Sequence, residues 1–470
     1  MSAPDELPIS VAEFGMLFQR FMEATVEAVP LTESPLGERL RQHLGAGDSD
    51  LPVIAEDFEP FDHPNLQVAL DFILSSPDYR VEIVGLNAQM RFFPGFSLAT
   101  ILARRKVGAP GPPMVSEGSV EYVNVRLDGR VLRCLQLAVL LISRGEERLA
   151  ALVMGPNQQM GPQGLKVRLQ LMSATSNAIE DFLNRIRAEM DRLNVYRSRV
   201  FSLSATQFGS LQANFQELPR IRREQVILPA GTLNRIERQT VVFAGHAERL
   251  RVQQRHIKRG ILLYGPPGTG KTLTIMYLAA QMPERTTILL TGGAMGLIPS
   301  SCHLARTLQP AMLVIEDVDL IAEDRSRAPM GAGPLLFELL NQMDGLAEDA
   351  DVIFLLTSNR PEILEPALAA RPGRVDEAVE LPLPDAECRR RLFELYGQGL
   401  DLDVQDFTPF VERTQGVAAA FIKEVMRRAA LRAAEASIEK IGHTELDSAV
   451  DDLLAGGRLA QRLLGMLPDG

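Results

Sequence analysis

Residues 265–272 read GPPGTGKT, and this stretch decides the fold of the second half of the 470-residue chain. It follows an apolar run at 260–264 and precedes a helical stretch at 273–281. Glycines between a strand and a helix let backbone N–H groups turn toward phosphate oxygens at the positive helix end. The sequence therefore predicts a nucleoside triphosphate site in an α/β domain.

Each residue type in this loop has a predicted task. Lys271 is expected to hold the β- and γ-phosphates, and Thr272 offers a hydroxyl to Mg²⁺. The full eight-residue match in its strand–loop–helix setting disfavours the alternative, a Gly/Pro-rich turn that binds nothing. The predicted nucleotide-binding residues are Gly265, Pro266, Pro267, Gly268, Thr269, Gly270, Lys271 and Thr272.

A pair of carboxylates follows where an ATPase needs one. Residues 311–319 read AMLVIEDVD, an apolar strand that ends in Glu316 and Asp317. If the strand continues, Asp319 faces the same side as Asp317 and is expected to contribute to the water or Mg²⁺ network. One carboxylate helps to position Mg²⁺, and the other orients the water that attacks the γ-phosphorus. We expect ATP and Mg²⁺ as cofactors, with Thr272 and Glu316 on the metal. The alternative is a buried strand that merely ends in solvated acids.

Composition limits the classes of partner and compartment. The chain has 49 basic and 60 acidic side chains and a pI near 5.3, which argues against nucleic acid as a partner. The overall charge does not exclude local basic patches. Cys134, Cys302 and Cys388 lack disulfide or metal-ligand spacing, so we expect reduced thiols in a cytoplasmic protein. The chain has no run of 18 apolar residues and no basic, apolar start, so we expect no membrane insertion.

The first 160 residues predict an α+β domain. Apolar residues at helical spacing predict a helix at 11–29, whose Phe/Met stripe we expect in a core. Another helix is expected at 65–74, and a rigid loop is expected at 108–113, GAPGPP. Asp128-Gly129 predicts a hairpin turn. Strands of this domain are expected at 80–84, 119–126, 131–143 and 148–154. After the domain, residues 161–225 are expected to form a helical segment, at 165–197, and a polar linker.

Further motifs follow the two carboxylates in a fixed order: FELLNQMDGL at 337–346, IFLLTSN at 353–359, RPEILEPAL at 360–368 and RPGRVD at 371–376. With the phosphate loop, they resemble the AAA module of the AAA+ ATPases, in particular its protein-remodelling clade. The resemblance covers about half the chain. It implies a P-loop parallel-sheet core at 226–384 and a C-terminal helical lid at 385–470, preceded by the α+β domain.

The resemblance also implies roles for three residues near the end of the core. Asn359 matches the sensor residue that contacts the attacking water or the γ-phosphate, with a purely structural role as the alternative. Arg371 and Arg374 match arginine fingers that reach the neighbouring subunit's nucleotide; for one of the two, the alternative is a structural ion pair at the interface. Lys271, Glu316 and Asp317 complete the predicted catalytic set. The fingers imply a homo-oligomer, normally a hexameric ring.

The chain departs from the family pattern in two places. The usual order at the end of the strand is Asp-Glu, whereas this chain has Glu316-Asp317, an order that the mitochondrial inner-membrane translocase branch shares. Because Asp317 is one methylene shorter than the usual catalytic glutamate, hydrolysis is expected to be slow. Where many relatives carry a pore aromatic, residues 292–301 read GGAMGLIPSS. Met295, Leu297 and Ile298 either grip a substrate or pack against the domain.

The leading hypothesis is an oligomeric, Mg²⁺-dependent ATPase that remodels or unfolds a protein partner, an unidentified substrate or adaptor bound through the amino-terminal domain. The alternative is a nucleotide-gated scaffold with weak or no hydrolysis. A motor acting on nucleic acid is disfavoured by the acidic balance. The sequence has no H-E-x-x-H motif, so we expect no metalloprotease site of the kind fused to some AAA modules in this chain.

Overall fold

The chain forms two compact units, Met1–Val195 and Tyr196–Gly470. The structure is a computed structural model, and it describes residues 11–28, 31–45, 51–87, 95–106, 115–157, 165–205, 211–320, 335–345, 347, 349–364 and 374–455.

The first unit is built on an antiparallel sheet whose strands run in the order β2-β9-β8-β7-β3-β5, with β6 paired to β7 and a separate β1–β4 pair. Its strands are β1 (Leu31–Thr32), β2 (Val53–Phe58), β3 (Tyr79–Leu86), β4 (Arg105–Lys106), β5 (Glu117–Gly118), β6 (Glu121–Leu127), β7 (Arg130–Arg144), β8 (Glu147–Met154) and β9 (Val167–Ser173). Its helices are α1 (Val11–Ala28), α2 (Pro35–Leu44), α3 (His63–Leu74), α4 (Leu98–Leu102) and α5 (Ser176–Arg192).

Both faces of this sheet are covered, because side chains of a strand alternate between its faces. Leu140 and Ile142 of β7 join the core under α3 and α5, whereas Val139 and Leu141 join the core under α2 and α4. The predicted helix at 65–74 and the four predicted strands are confirmed. Asp128 and Gly129 form the predicted turn, with φ of 45° and 74°.

Two predictions for this unit are wrong. Residues 165–197 are not helical throughout, since β9 precedes α5. Val167, Leu169 and Leu171 join the core under α3 and α5, whereas Met172 joins the core under α2 and α4, as expected when side chains alternate between the faces of a strand. The apolar stripe of α1 is not in a core: its side chains Phe14, Leu17, Phe18 and Phe21 are 53–65% exposed. The predicted loop at 108–113 lies outside the described residues.

The second unit contains a seven-stranded sheet in the order β11-β10-β13-β14-β15-β12-β16, parallel except for β11. The predicted α/β fold class is confirmed. The strands are β10 (Val200–Ala205), β11 (Leu211–Phe215), β12 (Arg259–Tyr264), β13 (Thr286–Leu290), β14 (Ala311–Ile315), β15 (Val352–Ser358) and β16 (Glu377–Glu380). The helices beside them are α6 (Thr232–Glu237), α7 (Phe243–Gly245), α8 (Ala247–Val252), α9 (Lys271–Gln281), α10 (Ile298–Thr307) and α11 (Leu335–Asp344), with a π-helical turn at Arg238–Val242 between α6 and α7.

The hairpin of β10 and β11 forms one edge of this sheet, although its residues lie in the region 161–225, where a helical segment and a linker were predicted. β10 pairs in parallel with β13, and β11 returns antiparallel along β10. Tyr196, Phe201 and Phe215 form an aromatic cluster with ring centroids 5.6–5.8 Å apart, and Phe201 is fully buried. The second unit therefore begins about 30 residues before the predicted start of the core at 226, and the first unit extends beyond the predicted end at 160.

Four helices after the sheet form a small domain with a core of its own. Phe393, Phe410 and Phe421 are fully buried in that core. The helices are α12 (Ala386–Gly397), α13 (Thr408–Arg413), α14 (Ala419–Glu435) and α15 (His443–Ala455), at the positions predicted for the lid. None of the helices in the described ranges of either unit is long and apolar enough to cross a membrane.

Candidate active site

The phosphate loop joins β12 to α9, and its backbone requires glycine at three positions. Gly265, Gly268 and Gly270 have φ of 146°, 78° and 101°, a region that side chains disfavour. A Cβ on Gly265 would lie 2.2 Å from the carbonyl oxygen of Leu381. Gly270 is the N-cap of α9, so the loop opens directly onto the positive end of that helix.

Lys271 is held inside the loop by backbone carbonyl groups. Its side chain is 8% exposed, and Nζ donates to the oxygens of Gly265 at 2.7 Å and Pro266 at 2.9 Å. Burial lowers the pKa of Lys271 to about 8, although the charges of Asp317 and Asp319 act in the opposite direction. A phosphate at the loop would supply the negative charge that this buried ammonium lacks.

Thr272 and Glu316 meet although they are 44 residues apart. Thr272 lies in the first turn of α9, Glu316 directly follows β14, and the hydroxyl Oγ1 donates to the carboxylate Oε1 at 2.7 Å. A hydroxyl and a carboxylate are hard oxygen ligands, and Mg²⁺ takes few protein ligands beside phosphate oxygens and water. The residues present therefore fit a magnesium ion bound together with a nucleotide.

Asp317 and Asn359 form a second contact between neighbouring strands. β14 and β15 are adjacent and parallel, so the residues after them meet at one edge of the sheet. Asn359 Nδ2 donates to Asp317 Oδ1 at 2.8 Å. Asp317 has a left-handed φ of 52°, and its N–H donates to Thr357 Oγ1 at 3.0 Å, which fixes this turn of the backbone.

Asp319 does not line the nucleotide cavity among the described residues, although its spacing suggested a place in the magnesium or water network. It is 4% exposed, and its Oδ1 accepts from Ser358 Oγ at 2.9 Å and from the N–H of Asn359 at 3.1 Å. The suggestion assumed that β14 continues, whereas β14 ends at Ile315 and strand alternation does not extend to residue 319. Asp319 instead anchors the backbone that carries Asn359.

These groups line a cavity of about 640 Å³, a size suited to a nucleotide. The lid closes one side of it: the N–H of Ala420 donates to Gly268 O at 3.2 Å, and a Cβ on Gly268 would lie 2.9 Å from the Cβ of Ala420. Tyr396 of α12 and Lys423 of α14 also line it. Lys423 was not among the predicted site residues, because helical spacing alone does not show which neighbour a polar face contacts.

Arg374, one of the two predicted arginine fingers, is not among the described residues that line this cavity. Arg374 pairs with Asp344 at the end of α11, with Nε donating to Oδ1 at 2.7 Å, and its side chain is 10% exposed. Arg371 lies outside the described residues. The role of both residues in a neighbouring subunit stays a prediction.

Residues 292–301 begin as a 3₁₀ helix, Gly292–Leu297, and continue into α10. Met295 is 6% exposed and Ile298 is fully buried, while Leu297 is partly exposed. Of the two alternatives for this segment, the structure therefore has Met295 and Ile298 packed against the domain.

Comparison with known proteins agrees with this geometry. Residues 261–383 match the family described as "ATPase family associated with various cellular activities (AAA)". The chain contains an AAA domain. The match includes the phosphate loop, both carboxylates and Asn359, so the residues that line the phosphate end of the cavity belong to that domain.

The AAA domain is homologous to that of the FtsH proteins. An ATP-dependent zinc metalloprotease FtsH of Cutibacterium acnes is 33% identical over 222 residues, which are 44% of this chain and 31% of the relative. An ATP-dependent zinc metalloprotease FTSH 1, chloroplastic, of Oryza sativa is 31% identical over 265 residues, 53% of this chain and 38% of the relative. The chain thus spans about a third of the length of these relatives.

Proposed function

We propose that this protein is a Mg²⁺-dependent ATPase that couples ATP binding and hydrolysis to the remodelling or unfolding of a protein partner. The observation that carries the proposal is the pair of contacts at the phosphate loop, Thr272–Glu316 and Asp317–Asn359. One contact brings together ligands suited to a metal, and the other brings together a carboxylate and an amide suited to a water molecule. The homology to ATP-dependent FtsH proteins supports the same reaction.

In this proposal the loop N–H groups and Lys271 bind the phosphates, and Thr272 and Glu316 hold the magnesium ion. When bound, Mg²⁺ neutralises the charge that develops on the phosphate oxygens. Asp317 orients the attacking water and accepts its proton, while Asn359 fixes Asp317 and donates to the same water. The Glu-Asp order resembles that of the mitochondrial translocase branch, and the length of Glu316 lets it reach Thr272.

The segment before β16 is the part of the chain that we expect to contribute a residue to the nucleotide site of a neighbouring subunit. We propose that Arg371 reaches the nucleotide of a neighbouring subunit in a homo-oligomer, by family resemblance a hexamer. The ion pair of Arg374 with Asp344 supports a different part for Arg374, which holds this segment in place. The α+β unit is proposed to bind a protein substrate or adaptor, and the buried, unpaired cysteines are compatible with the predicted cytoplasmic location.

The test is steady-state ATP hydrolysis by the wild type, Asp317→Asn and Arg371→Ala, with the oligomeric state measured by light scattering in the same samples. We expect hydrolysis to be lost in both variants while ATP binding and assembly are retained. A wild type that binds ATP tightly and assembles, but does not hydrolyse it, would refute the proposal in favour of the nucleotide-gated scaffold. Loss of assembly in Asp317→Asn would instead assign this residue a structural role.

A further inference from the structure

A second cavity of about 930 Å³ lies on the AAA domain at the end of the sheet opposite the nucleotide cavity. Arg259 begins β12 and Glu377 begins β16, whereas the phosphate loop follows the carboxyl end of β12. One wall is the helical segment from α6 to α8. We call this cavity the arginine groove, after its lining residues Arg235, Arg238, Arg249 and Arg259; His246 also lines it.

The groove belongs to a basic segment of an otherwise acidic chain. Residues 220–259 contain ten Lys or Arg and three Asp or Glu, a net charge of +7. Since the whole chain carries −11, the other 430 residues carry −18. A concentration of one sign in a concave surface focuses the electrostatic field and attracts the opposite sign.

Internal ion pairs do not neutralise this groove. Arg235 pairs with Glu377, and Arg259 lies 3.5 Å from Asp376 while its guanidinium covers the ring of Phe243 at 4.5 Å. Arg238 and Arg249 are exposed, and neither has an ion-pair partner within the part of the chain that the structure describes. Two arginines are therefore available to an acidic ligand.

The groove adjoins the segment that carries the predicted arginine fingers. The N–H of Asp376 donates to Gly260 O at 2.7 Å, and the N–H of Gly260 donates to Asp376 Oδ2 at 2.8 Å. A Cβ on Gly260 would lie 1.9 Å from the carbonyl oxygen of Arg374, so only glycine permits this approach. Residues 374–376 are thus fixed to the start of β12, beside Arg259.

We propose that the arginine groove docks an acidic surface of a second copy of this chain. The inference rests on the proposed function in one respect: if the finger segment faces a neighbouring subunit, the adjoining groove faces the same subunit. The net charge of −18 on the other 430 residues of each copy provides the complementary charge. Val242 and Phe243 add an apolar part to the lining, and Val242 is 50% exposed, which suits a protein surface better than a phosphate backbone.

Such a contact joins two different surfaces of identical chains, which generates a ring when the rotation closes. Because exposed arginines supply the attraction, assembly should weaken as ionic strength rises, over the range in which the Debye length falls below about 10 Å. The groove would thereby help to set which faces of two copies meet, independently of the nucleotide.

Helix α8 offers a matched pair of substitutions. Arg249 lines the groove, whereas Arg251, two residues later, pairs with Glu248 at 2.7 Å and is not among the lining residues. Arg249→Glu and Arg251→Glu change the net charge equally. In the full chain with ATP and Mg²⁺, light scattering should show that Arg249→Glu raises the dissociation constant of assembly at least about tenfold, and Arg251→Glu less than about twofold.

Equal effects of the two substitutions, no effect of Arg249→Glu, or a wild type that stays monomeric would each overturn the proposal. Circular dichroism confirms that each variant is folded, and ATP binding is measured separately. If the wild type assembles through the groove but hydrolyses no ATP, the proposed function fails and the groove proposal stands. If the wild type hydrolyses ATP but its assembly is insensitive to Arg249→Glu, the groove proposal fails and the proposed function stands.

A cross-linking experiment identifies the occupant. A photo-crosslinking amino acid at Gln253, which lines the groove, should link two copies of the purified chain, and mass spectrometry should place the linked peptide in an acidic segment. Links confined to one chain would contradict docking of a second copy. Salt-sensitive binding of a 20-nucleotide single-stranded DNA that Arg249→Glu abolishes, while assembly is unchanged, would overturn it in favour of nucleic acid.

Discussion

Replacing Asp319 with alanine should impair hydrolysis through a residue that does not line the nucleotide cavity. Asp319 Oδ1 accepts hydrogen bonds from Ser358 Oγ and from the N–H of Asn359, and Ser358 is fully buried. The substitution removes the acceptor for both donors. Because an unsatisfied buried donor costs about 1–3 kcal/mol, the free energy of unfolding of the second unit should fall by about 2–4 kcal/mol.

The effect on catalysis follows from the position of Asn359. Its side-chain amide holds Asp317, so a shift of its backbone moves the carboxylate that we assign to the attacking water. A displacement of about 1 Å can reduce a rate on the order of 100-fold. We expect kcat to fall by roughly this factor, while ATP affinity changes little, because Asp319 does not touch the phosphate loop through any hydrogen bond that the structure describes.

The assays are thermal unfolding, steady-state hydrolysis and titration with a fluorescent ATP analogue. At roughly 2–4 °C per kcal/mol, a loss of about 2–4 kcal/mol should lower the melting transition of the second unit by about 4–16 °C. Asp319→Asn keeps an oxygen acceptor and should remain within about 1 kcal/mol of the wild type. The reasoning is refuted if Asp319→Ala keeps kcat within twofold, or if Asp319→Asn is equally damaging, since the charge would then matter more than the acceptor.

Two further predictions concern the lysines of the nucleotide cavity. Folding lowers the pKa of Lys271 to about 8. Between about pH 8 and the ordinary pKa of a lysine, the unfolded chain therefore binds more protons at this residue than the folded chain does. The contribution of Lys271 to the free energy of unfolding accordingly rises with pH over this range. ATP requires the charged amine, so ATP affinity should fall about tenfold per pH unit above pH 8; calorimetry at pH 9 in two buffers of different ionisation enthalpy should show proton uptake, and its absence would contradict the prediction. Lys423→Gln removes the second cation among the described lining residues and should weaken ATP binding about tenfold in a fluorescence titration. Lys440→Gln, which is exposed and does not line the cavity, is the control, and equal affinities in the two variants would rule out a contact of Lys423 with the nucleotide.

The nucleotide site was predictable where its determinants are local. The turns at Gly265, Gly268 and Gly270, the lysine and the threonine all fall within eight residues, so their spacing alone specifies the loop. The parallel strands were also predictable, because burial on both faces makes them continuous apolar runs, as in β14. Such signals need no knowledge of the neighbouring elements.

Features that depend on tertiary neighbours were not predictable. β10 and β11 are short and interrupted by polar residues, and they are held as strands by pairing with the edge of β13 and by the packed rings of Tyr196, Phe201 and Phe215. The stripe of α1 has the spacing of a core helix, yet its side chains are exposed. Spacing gives the face that is apolar, but it does not specify what that face contacts.

The reversed order of the two carboxylates has a physical explanation in the backbone. Successive side chains on a regular strand point to opposite faces, so two consecutive residues can serve one site only where the regular strand has ended, as it has here at Ile315. The left-handed backbone at Asp317 ends that alternation, and Glu316 then contacts Thr272 while Asp317 contacts Asn359. Among residues with side chains, Asp and Asn adopt this backbone most readily, whereas the longer glutamate suits position 316, from which it must span to α9. The order Glu-Asp therefore places the shorter acid where the chain turns and the longer acid where reach is needed.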